Sequence, residues 1–243
     1  MDFTPLLIIP AIFIVAVLYS SVGHGGASGY LAVMAFFAVA PGVTRPTALL
    51  LNLFVASIGT VQFYRAGHFS WRIFLLFATA SIPMAFVGGV IQLPTNVYKI
   101  VLGLVLLAAA ARLAIRLKSD DQVKEAPILA CLLIGAMIGL LSGLVGVGGG
   151  IFLTPILLLM RWAETRVAAG VSVLFILVNS AAGLAGNYGQ VSVLPSDVWF
   201  WIAAAVVGGF IGSTLGSKRF DSITLRRLLA VVLLFAGLKL ILV

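Results

Sequence analysis

The sequence predicts an all-α, polytopic membrane protein built from two inverted repeats, each made of a glycine-broken helical hairpin and three further transmembrane helices. Three observations predict this class. Of the 243 residues, 62% are hydrophobic and only 9% are charged, which is more apolar surface than a water-soluble domain can bury. The same glycine pattern interrupts the apolar sequence twice, at 23–26 and at 146–149. The Lys and Arg residues lie mostly in short connections between apolar stretches.

The chain contains ten apolar stretches, five in each half. They lie at 6–22, 27–40, 47–64, 73–91, 97–111, 128–145, 151–160, 167–185, 198–215 and 228–243. Several are long enough to cross the hydrocarbon core of a bilayer, which takes about 20 helical residues. Lipid offers a backbone amide no hydrogen-bond partner, so each stretch is expected to be helical.

The two halves of the sequence share an internal repeat. Four features recur in the same order, at an offset that drifts only from 123 to 120 residues. They are GxGG at 23–26 and 146–149, Arg45 and Arg166, GHFS at 67–70 and GQVS at 189–192, and the glycine pairs at 88–89 and 208–209. Such duplication is typical of transporters. We predict a first transmembrane repeat at 1–117, a cytoplasmic linker at 118–126 and a second repeat at 127–243.

The charges of the connections predict the orientation of the halves. If each glycine-broken segment folds back as a hairpin, the second half is inverted, and if it crosses as one piece, the halves are parallel. With 112–126 in the cytoplasm, inversion places twelve Lys and Arg residues inside and leaves Arg45, Lys99 and Lys239 outside, whereas the parallel arrangement divides them seven to eight. Because Lys and Arg favour the cytoplasmic side, we predict inverted halves with both termini outside. We interpret Arg45 and Arg166 as interfacial anchors.

The two glycine breaks are the first candidate site. Glycine lets a chain turn with positive φ and lets a ligand approach the backbone. The helix after each turn begins with unpaired N–H groups and the positive end of a helix dipole, which together favour an anion. The candidate substrate-binding residues at the turns are Gly23, His24, Gly25, Gly26, Ala27 and Ser28 in the first half, and Gly146, Gly148, Gly149 and Gly150 in the second. Close helix packing by small residues remains an alternative reading of these glycines.

Polar residues at helical spacing extend the candidate site. Asn52, Ser57 and Gln62 lie in the third stretch of the first half, and Asn179 and Ser180 lie in the corresponding stretch of the second. These side chains could line a cavity and donate hydrogen bonds to an oxyanion, or they could simply join neighbouring helices. His24 has the same two readings, since its ring could change charge near neutral pH or could tie the turn to a carbonyl.

The distribution of charge excludes several classes of function. All seven carboxylates lie at or near the ends of apolar stretches, which leaves no acid inside the membrane to bind a cation or relay protons. The net charge of +8 is explained by membrane orientation, so we exclude nucleic-acid binding. We expect no cofactor and no bound metal. The expected partners are a small anionic substrate and membrane lipid, with a homodimer left open.

Four segments carry a family resemblance. They are SVGHGGASGYLAVMAFF and RPTALLLNLFVASIGTVQFYRAGHF in the first half, and GLLSGLVGVGGGIFLTPILLLM and AAGVSVLFILVNSAAGLAGNYG in the second. They resemble the sulfite exporter TauE/SafE family, also called the toluene sulfonate uptake permease family, over nearly the whole chain. The resemblance implies a multi-pass protein of the bacterial inner membrane that moves sulfite, sulfonates or sulfoacetate-like anions. The first turn differs from the common form in carrying His24.

Two other functions fit parts of the sequence. A passive anion channel also uses glycine turns and polar linings. Residues 26–29 read GASG, which matches the GxSG nucleophile signature of intramembrane serine proteases. A serine nucleophile needs a base within reach, however, and His24 lies on the same turn as Ser28 while His68 lies in a basic loop. We therefore expect a transporter rather than an enzyme, and alternating access rather than a channel.

Overall fold

The structure is a computed structural model that describes residues 4–21, 24–114, 123–191, 194–219 and 223–242. In these residues the chain is all-helical. The helices are α1 Thr4–Ser21, α2 Ala27–Phe36, α3 Pro41–Arg65, α4 Trp71–Val90, α5 Thr95–Ala114, α6 Ile128–Val145, α7 Gly150–Leu159, α8 Thr165–Gly186, α9 Tyr188–Val191, α10 Val198–Arg219 and α11 Ile223–Leu242. Each of the ten predicted apolar stretches forms a helix, and the predicted fold class is confirmed as an all-helical protein. The predicted boundary at 117–118 lies outside the described residues.

Five helices within the described part of the chain are long and apolar enough to cross a membrane. They are Pro41–Arg65, Trp71–Val90, Ile128–Val145, Thr165–Gly186 and Val198–Leu215. The helices α2 and α7 each have only ten residues, or about 15 Å of helix. This length is about half the thickness of the hydrocarbon core of a bilayer, as expected for the second arm of a hairpin.

The backbone repeats in detail around the short helices. Gly26 and Gly149 cap α2 and α7 with φ of 96° and 82°, and they are 123 residues apart. The connections that follow also match, because Ala38 and Arg161 both have positive φ, at 57° and 58°. The amide of Ala38 donates to the carbonyl of Ala35, and the amide of Arg161 donates to that of Leu158 at the same 3.1 Å. The local backbone conformation around the two short helices therefore matches at the same offset as the sequence patterns.

The long helices pack around the two hairpins through glycine contacts. Gly135, Gly139 and Gly143 of α6 face the backbone of α4 at Phe77, Ser81 and Ala85. Glycines 208 and 212 of α10 face α1 at Phe13 and Val17 in the same way. These contacts let the paired helices approach closely, since no side chain stands between their backbones.

Corresponding helices of the two halves run in opposite directions where they meet. In the pair α3 and α8, Asn52 lies beside Ser180 while Gly59 lies beside Val173. In the pair α5 and α11, Gly103 lies beside Ile241 and Gly237 lies beside Leu107. Parallel halves would make both pairs run in the same direction. These contacts support the inverted arrangement.

Arg45 joins the start of α3 to the end of α4. The residue is 4% exposed, and its guanidinium group donates to the carbonyls of Ile91 at 2.9 Å and Gly88 at 2.8 Å, and also to that of Gly89. These carbonyls end α4, where a cation also interacts favourably with the helix dipole. Arg45 therefore caps a neighbouring helix, a role more specific than the interfacial anchor that the sequence indicates.

Reporter fusions test the orientation of the halves. A reporter inserted after Ser196 is expected to be extracytoplasmic, and one inserted after Gly67 is expected to be cytoplasmic, because the inverted arrangement puts these connections on opposite sides. Alkaline phosphatase and fluorescent-protein fusions measure the two sides. The Gly67 fusion is the control, since both arrangements place it inside. A cytoplasmic reporter at Ser196 would mean that the halves are parallel.

Arg45→Met is expected to lower the stability of the purified protein by about 3 kcal/mol, because it leaves three carbonyls at the end of α4 without their charged donor. The measurement is thermal unfolding in detergent. The matched control is Arg72→Met, which removes an ion pair to Glu125 whose side chains are 70% and 85% exposed. That variant should change stability by less than about 0.5 kcal/mol. Equal losses in both variants would contradict the capping role.

Candidate functional site

The first glycine turn folds α2 back against α1. The turn is described from His24 onward, so Gly23 lies outside the described residues. The amide of His24 donates to the carbonyl of Tyr19 at 3.0 Å, and Gly29 in the first turn of α2 packs against Val15 and Tyr19. Residues on either side of the turn are therefore in contact, as a hairpin requires. His24 itself is 8% exposed.

The second glycine turn folds α7 back against α6. Gly146 ends α6 with φ of 89°, and its amide donates to the carbonyl of Ser142 at 2.8 Å. Gly148 and Gly149 also have positive φ, at 78° and 82°. Gly149 contacts Ile138, which lies two turns before the end of α6. A side chain at any of these three glycines would strain the backbone, so the pattern is required by the turn itself.

The two turns converge on Asn52 in the middle of α3. The side chain of Asn52 is fully buried, and its Nδ2 donates to the carbonyl of Val147 at 3.4 Å and to Ser180 Oγ at 3.2 Å. Its Oδ1 faces Gly25 in the first turn, where an added Cβ would lie 2.8 Å away. A single amide thus contacts both glycine turns and α8.

The place where both glycine turns meet Asn52 is called the junction. Ile176 closes its other side. Its side chain contacts Gly25 in the first turn and Gly148 and Gly150 in the second. Ile176 is 3% exposed, and Asn52 is fully buried. The site is therefore closed at this point, and a ligand between the turns requires these two side chains to move.

Several polar atoms near the turns are buried and make no hydrogen bond within the described structure. They include Asn52 Oδ1, Tyr30 OH and Ser142 Oγ. Tyr30 OH lies against Gly26, and Ser142 is in the last turn of α6 before the break. A buried polar group without a partner costs about 1–3 kcal/mol, so a ligand or a water that bonded to these atoms would remove that cost. The first N–H groups of α2 and α7 also lie beside the two turns. The cap residues, Gly26 and Gly149, give them no side-chain hydrogen bond.

The other candidate residues lie at different distances from this junction. Ser180 is fully buried and bonded to Asn52. Asn179 is also buried, but its amide is held by Ser81 on α4 and by the carbonyl of Phe175. Gln62 donates to Thr214 on α10 at 3.3 Å, and Ser57 is exposed and donates to Leu53 on its own helix. The structure brings Gly25, Gly148, Gly150, Asn52 and Ser180 together and places Ser57 and Gln62 elsewhere.

Ser28 is 2% exposed, and its hydroxyl donates to Tyr19 OH at 3.1 Å. This bond joins the first turn of α2 to the end of α1. The hydrogen-bond partner of Ser28 is thus a phenol, whereas the nucleophile of a serine protease needs a base at that position.

Sequence reasoning missed Tyr30, Ser142 and Ile176. Tyr30 lies one turn after the first glycine break and Ser142 one turn before the second, so proximity in sequence is a usable signal for both. Ile176 carries no such signal, because an apolar residue in an apolar helix resembles many others. Among the described residues no group of three His, Cys, Asp or Glu side chains is placed to hold a metal ion.

Comparisons with known proteins identify relatives over nearly the whole chain. The sequence profile of the family described as Sulfite exporter TauE/SafE matches residues 8–240. The probable membrane transporter protein y4hK of Sinorhizobium fredii is 41% identical over 95% of this chain and 96% of its own. YjnA of Bacillus subtilis and MJ0441 of Methanocaldococcus jannaschii, also named probable membrane transporter proteins, are 26% and 30% identical over 93% and 74% of this chain, and over 96% and 70% of theirs. No solved structure matches the chain.

Gly148→Ala tests the junction. The added Cβ would lie 2.6 Å from Asn52 Nδ2 and 2.9 Å from Ser180 Oγ, at a backbone φ of 78°. We expect a loss of about 2 kcal/mol in thermal unfolding, from crowding and backbone strain together. Gly42→Ala is the control, because no atom lies within 4 Å of its added Cβ. A neutral Gly148→Ala variant would show that the turns are not packed against Asn52.

Proposed function

Because the chain belongs to the sulfite exporter TauE/SafE family, we propose that it is a secondary transporter that moves a small sulfur-containing anion across the bacterial inner membrane by alternating access. The substrate class we propose is sulfite, a sulfonate or a sulfoacetate-like anion. The profile match over residues 8–240 and the names of the relatives identify the chain as a multi-pass membrane protein of a transporter family. The observation that carries the finer proposal is the convergence of both glycine turns on Asn52.

The junction suits an anion because of the groups that surround it. Two helices of ten residues begin here, and the positive ends of their dipoles and their first N–H groups favour a negative ligand. No Asp or Glu is buried among the described residues, and Glu125 and Glu164 are exposed. A cation site in a membrane normally includes a carboxylate or a cage of carbonyls. An anion site needs only donors, and Tyr30 OH and Ser142 Oγ are two buried hydroxyls that still lack a partner.

Alternating access is favoured over a channel by the closed packing at the junction. Asn52 belongs to α3 and bonds to Ser180 on α8 and to Val147 at the second turn, so one side chain joins the two halves. These bonds are 3.2 Å and 3.4 Å long and join neutral groups, and such bonds contribute on the order of 1 kcal/mol each. A transporter that rocks one half against the other must break and remake contacts of this strength.

The membrane potential acts differently on the export and the uptake of an anion. With the cell interior negative, a monovalent anion leaves downhill by about 2.3 kcal/mol per 100 mV. Export therefore needs no second ion, whereas uptake would need coupling. His24, buried in the first turn, is the residue we propose for proton coupling if the direction is inward.

Ligand-induced stabilisation tests the proposed site. We expect sulfite and short alkanesulfonates to raise the midpoint of thermal unfolding of the purified protein, because a ligand at 100 times its Kd stabilises by about 2.7 kcal/mol. Choline chloride is the cation control. In Asn52→Asp the stabilisation should be lost, since the new carboxylate would lie between the two turns and repel an anion.

The matched variant is Asn187→Asp, a buried amide at the end of α8 that is outside the junction. It should keep the anion response of the wild type. An unchanged response in Asn52→Asp would put the anion elsewhere, and stabilisation by choline alone would overturn the anion proposal. Flux measured in liposomes then separates the mechanisms, because a rate far above that of a conformational cycle is expected only of a channel.

A further inference from the structure

A crevice of about 160 Å³ lies at the end of the bundle that the charge distribution places outside. It is bounded by the connection from α2 to α3, the first turns of α5 and the last turns of α11. The residues that line it are Ala35, Ala38, Val39, Ala40, Pro41, Thr44, Tyr98, Lys99, Leu102, Lys239 and Leu240. Two of these carry ammonium groups and none carries a carboxylate. Since a water molecule takes about 30 Å³ of the liquid, the volume fits a ligand of several heavy atoms.

The two lysines are unexpected on this side of the membrane. Lys and Arg favour the cytoplasmic side, and the inverted arrangement leaves only Arg45, Lys99 and Lys239 outside. Arg45 is explained by its bonds to the end of α4. Lys99 has no such bond within the described residues, and Lys239 bonds only to the end of α2, yet both line the same crevice although they are 140 residues apart in sequence. Two positive charges that line one small crevice favour the binding of an anion there.

The ammonium of Lys239 is held in place beside the crevice. Its Nζ donates to the carbonyl of Phe36 at 2.7 Å and lies 5.2 Å from the centre of the Phe36 ring. An ammonium group has three donors, and the bond to Phe36 uses one of them. The position of this charge is therefore fixed before a ligand arrives, which lowers the entropy cost of binding.

The walls of the crevice are mostly apolar. Ala35, Val39, Leu102 and Leu240 provide alkyl surface, while Lys99, Lys239 and the hydroxyl of Thr44 provide the polar groups. A bare inorganic ion would gain nothing from the alkyl walls. The combination fits an anionic head group attached to a short apolar body, because both parts then find matching surface.

The inner wall of the crevice contacts the second glycine turn. Tyr98 lines the crevice and donates its hydroxyl hydrogen to the carbonyl of Val145, the last residue of α6, at 3.2 Å. Thr44 also lines the crevice, and its neighbour Arg45 packs against Gly146. One layer of side chains therefore separates the crevice from the turn.

We propose that this crevice is an outer binding site for an organic anion, with Lys99 and Lys239 holding its sulfonate or carboxylate head and the alkyl walls holding its body. The proposal rests on the transporter function proposed above, for which the crevice is the outer approach to the second turn. The head group of an anionic lipid has the same chemistry, an anion on an apolar body, and the experiment has a separate arm for it.

Cysteine labelling tests the charge of the crevice. In a Cys131→Ala background, Ala40→Cys puts a thiol on an exposed residue of the lining with ordinary helix-cap geometry. Each labelling rate is first divided by the rate at a free thiol in solution. We then expect sulfonatoethyl methanethiosulfonate to label Ala40→Cys about tenfold faster than the trimethylammonioethyl reagent, since two lysine side chains in the lining attract the anionic reagent. Lys99→Gln with Lys239→Gln should remove the preference. Lys124→Gln, a change in the exposed segment before α6, is the control and should keep it.

Protection experiments identify the source of the anion. In nanodiscs of zwitterionic lipid, ethanesulfonate should slow labelling of Ala40→Cys by neutral methyl methanethiosulfonate, and the double lysine variant should lose this protection. Protection only in nanodiscs that contain phosphatidylglycerol would assign the crevice to a lipid head group. A reagent preference that persists without the lysines, or no protection by either anion, would overturn the proposal.

The crevice and the junction can fail independently. Asn52→Asp should leave the labelling preference at Ala40→Cys intact, because Asn52 does not line the crevice. Suppose that Asn52→Asp loses the stabilisation by anions, and that Ala40→Cys shows no preference for the anionic reagent. These two results together would support the transport site and reject the crevice. If Ala40→Cys prefers the anionic reagent and anions still stabilise Asn52→Asp as they do the wild type, the results would support the crevice and reject the junction.

Discussion

The fold depends on the need to satisfy backbone hydrogen bonds away from water. A chain that breaks its helices inside a membrane exposes N–H and C=O groups that lipid cannot bond, at a cost of several kcal/mol for each group. In this protein the helices are interrupted at Gly26 and at Gly146–Gly149, and both interruptions pack against other side chains of the chain. Asn52 gives the carbonyl of Val147 a donor, and Tyr19 and Ser142 supply carbonyls to the amides of His24 and Gly146. The same burial that makes the breaks tolerable brings the two helix starts together.

Close helix packing is the second condition for this arrangement. The contacts of Gly135, Gly139 and Gly143 with α4 leave no room for a side chain, so α4 and α6 lie with their backbones in contact. Arg45 then ties the end of α4 to the start of α3 and packs against Gly146 at the second turn. Apolar side chains alone would position the turn less accurately, because dispersion contacts fix distance only loosely. A backbone contact and three charged hydrogen bonds fix both distance and direction.

The sequence predicted the helices well because their signals are local. The stretch at 128–145 coincides with α6, and the glycine patterns located both turns and the residues at their tips. The positions of polar side chains were harder to predict, because the direction of a side chain depends on which helices pack beside it. Ser57 and Asn52 lie five residues apart on α3, yet Ser57 is exposed and Asn52 is fully buried. The contact of Ile176 with both turns had no signal at all, since only the crossing of α3 and α8 brings it there.

The two halves of the junction are alike in local backbone geometry but not in chemistry. At an offset of 122 the counterpart of Asn52 is Leu174, and at an offset of 123 the counterpart of His24 is Val147. The backbones therefore match, but the side chains around them differ, because the second half has no amide at the position of Asn52 and the first turn carries a histidine where the second carries a valine. A fully symmetric junction would present the same groups to both sides of the membrane and could not distinguish the direction of transport at that point. In the transport site that we propose, residues that break the repeat, such as Asn52 and His24, are for that reason the ones able to give the two sides different affinities.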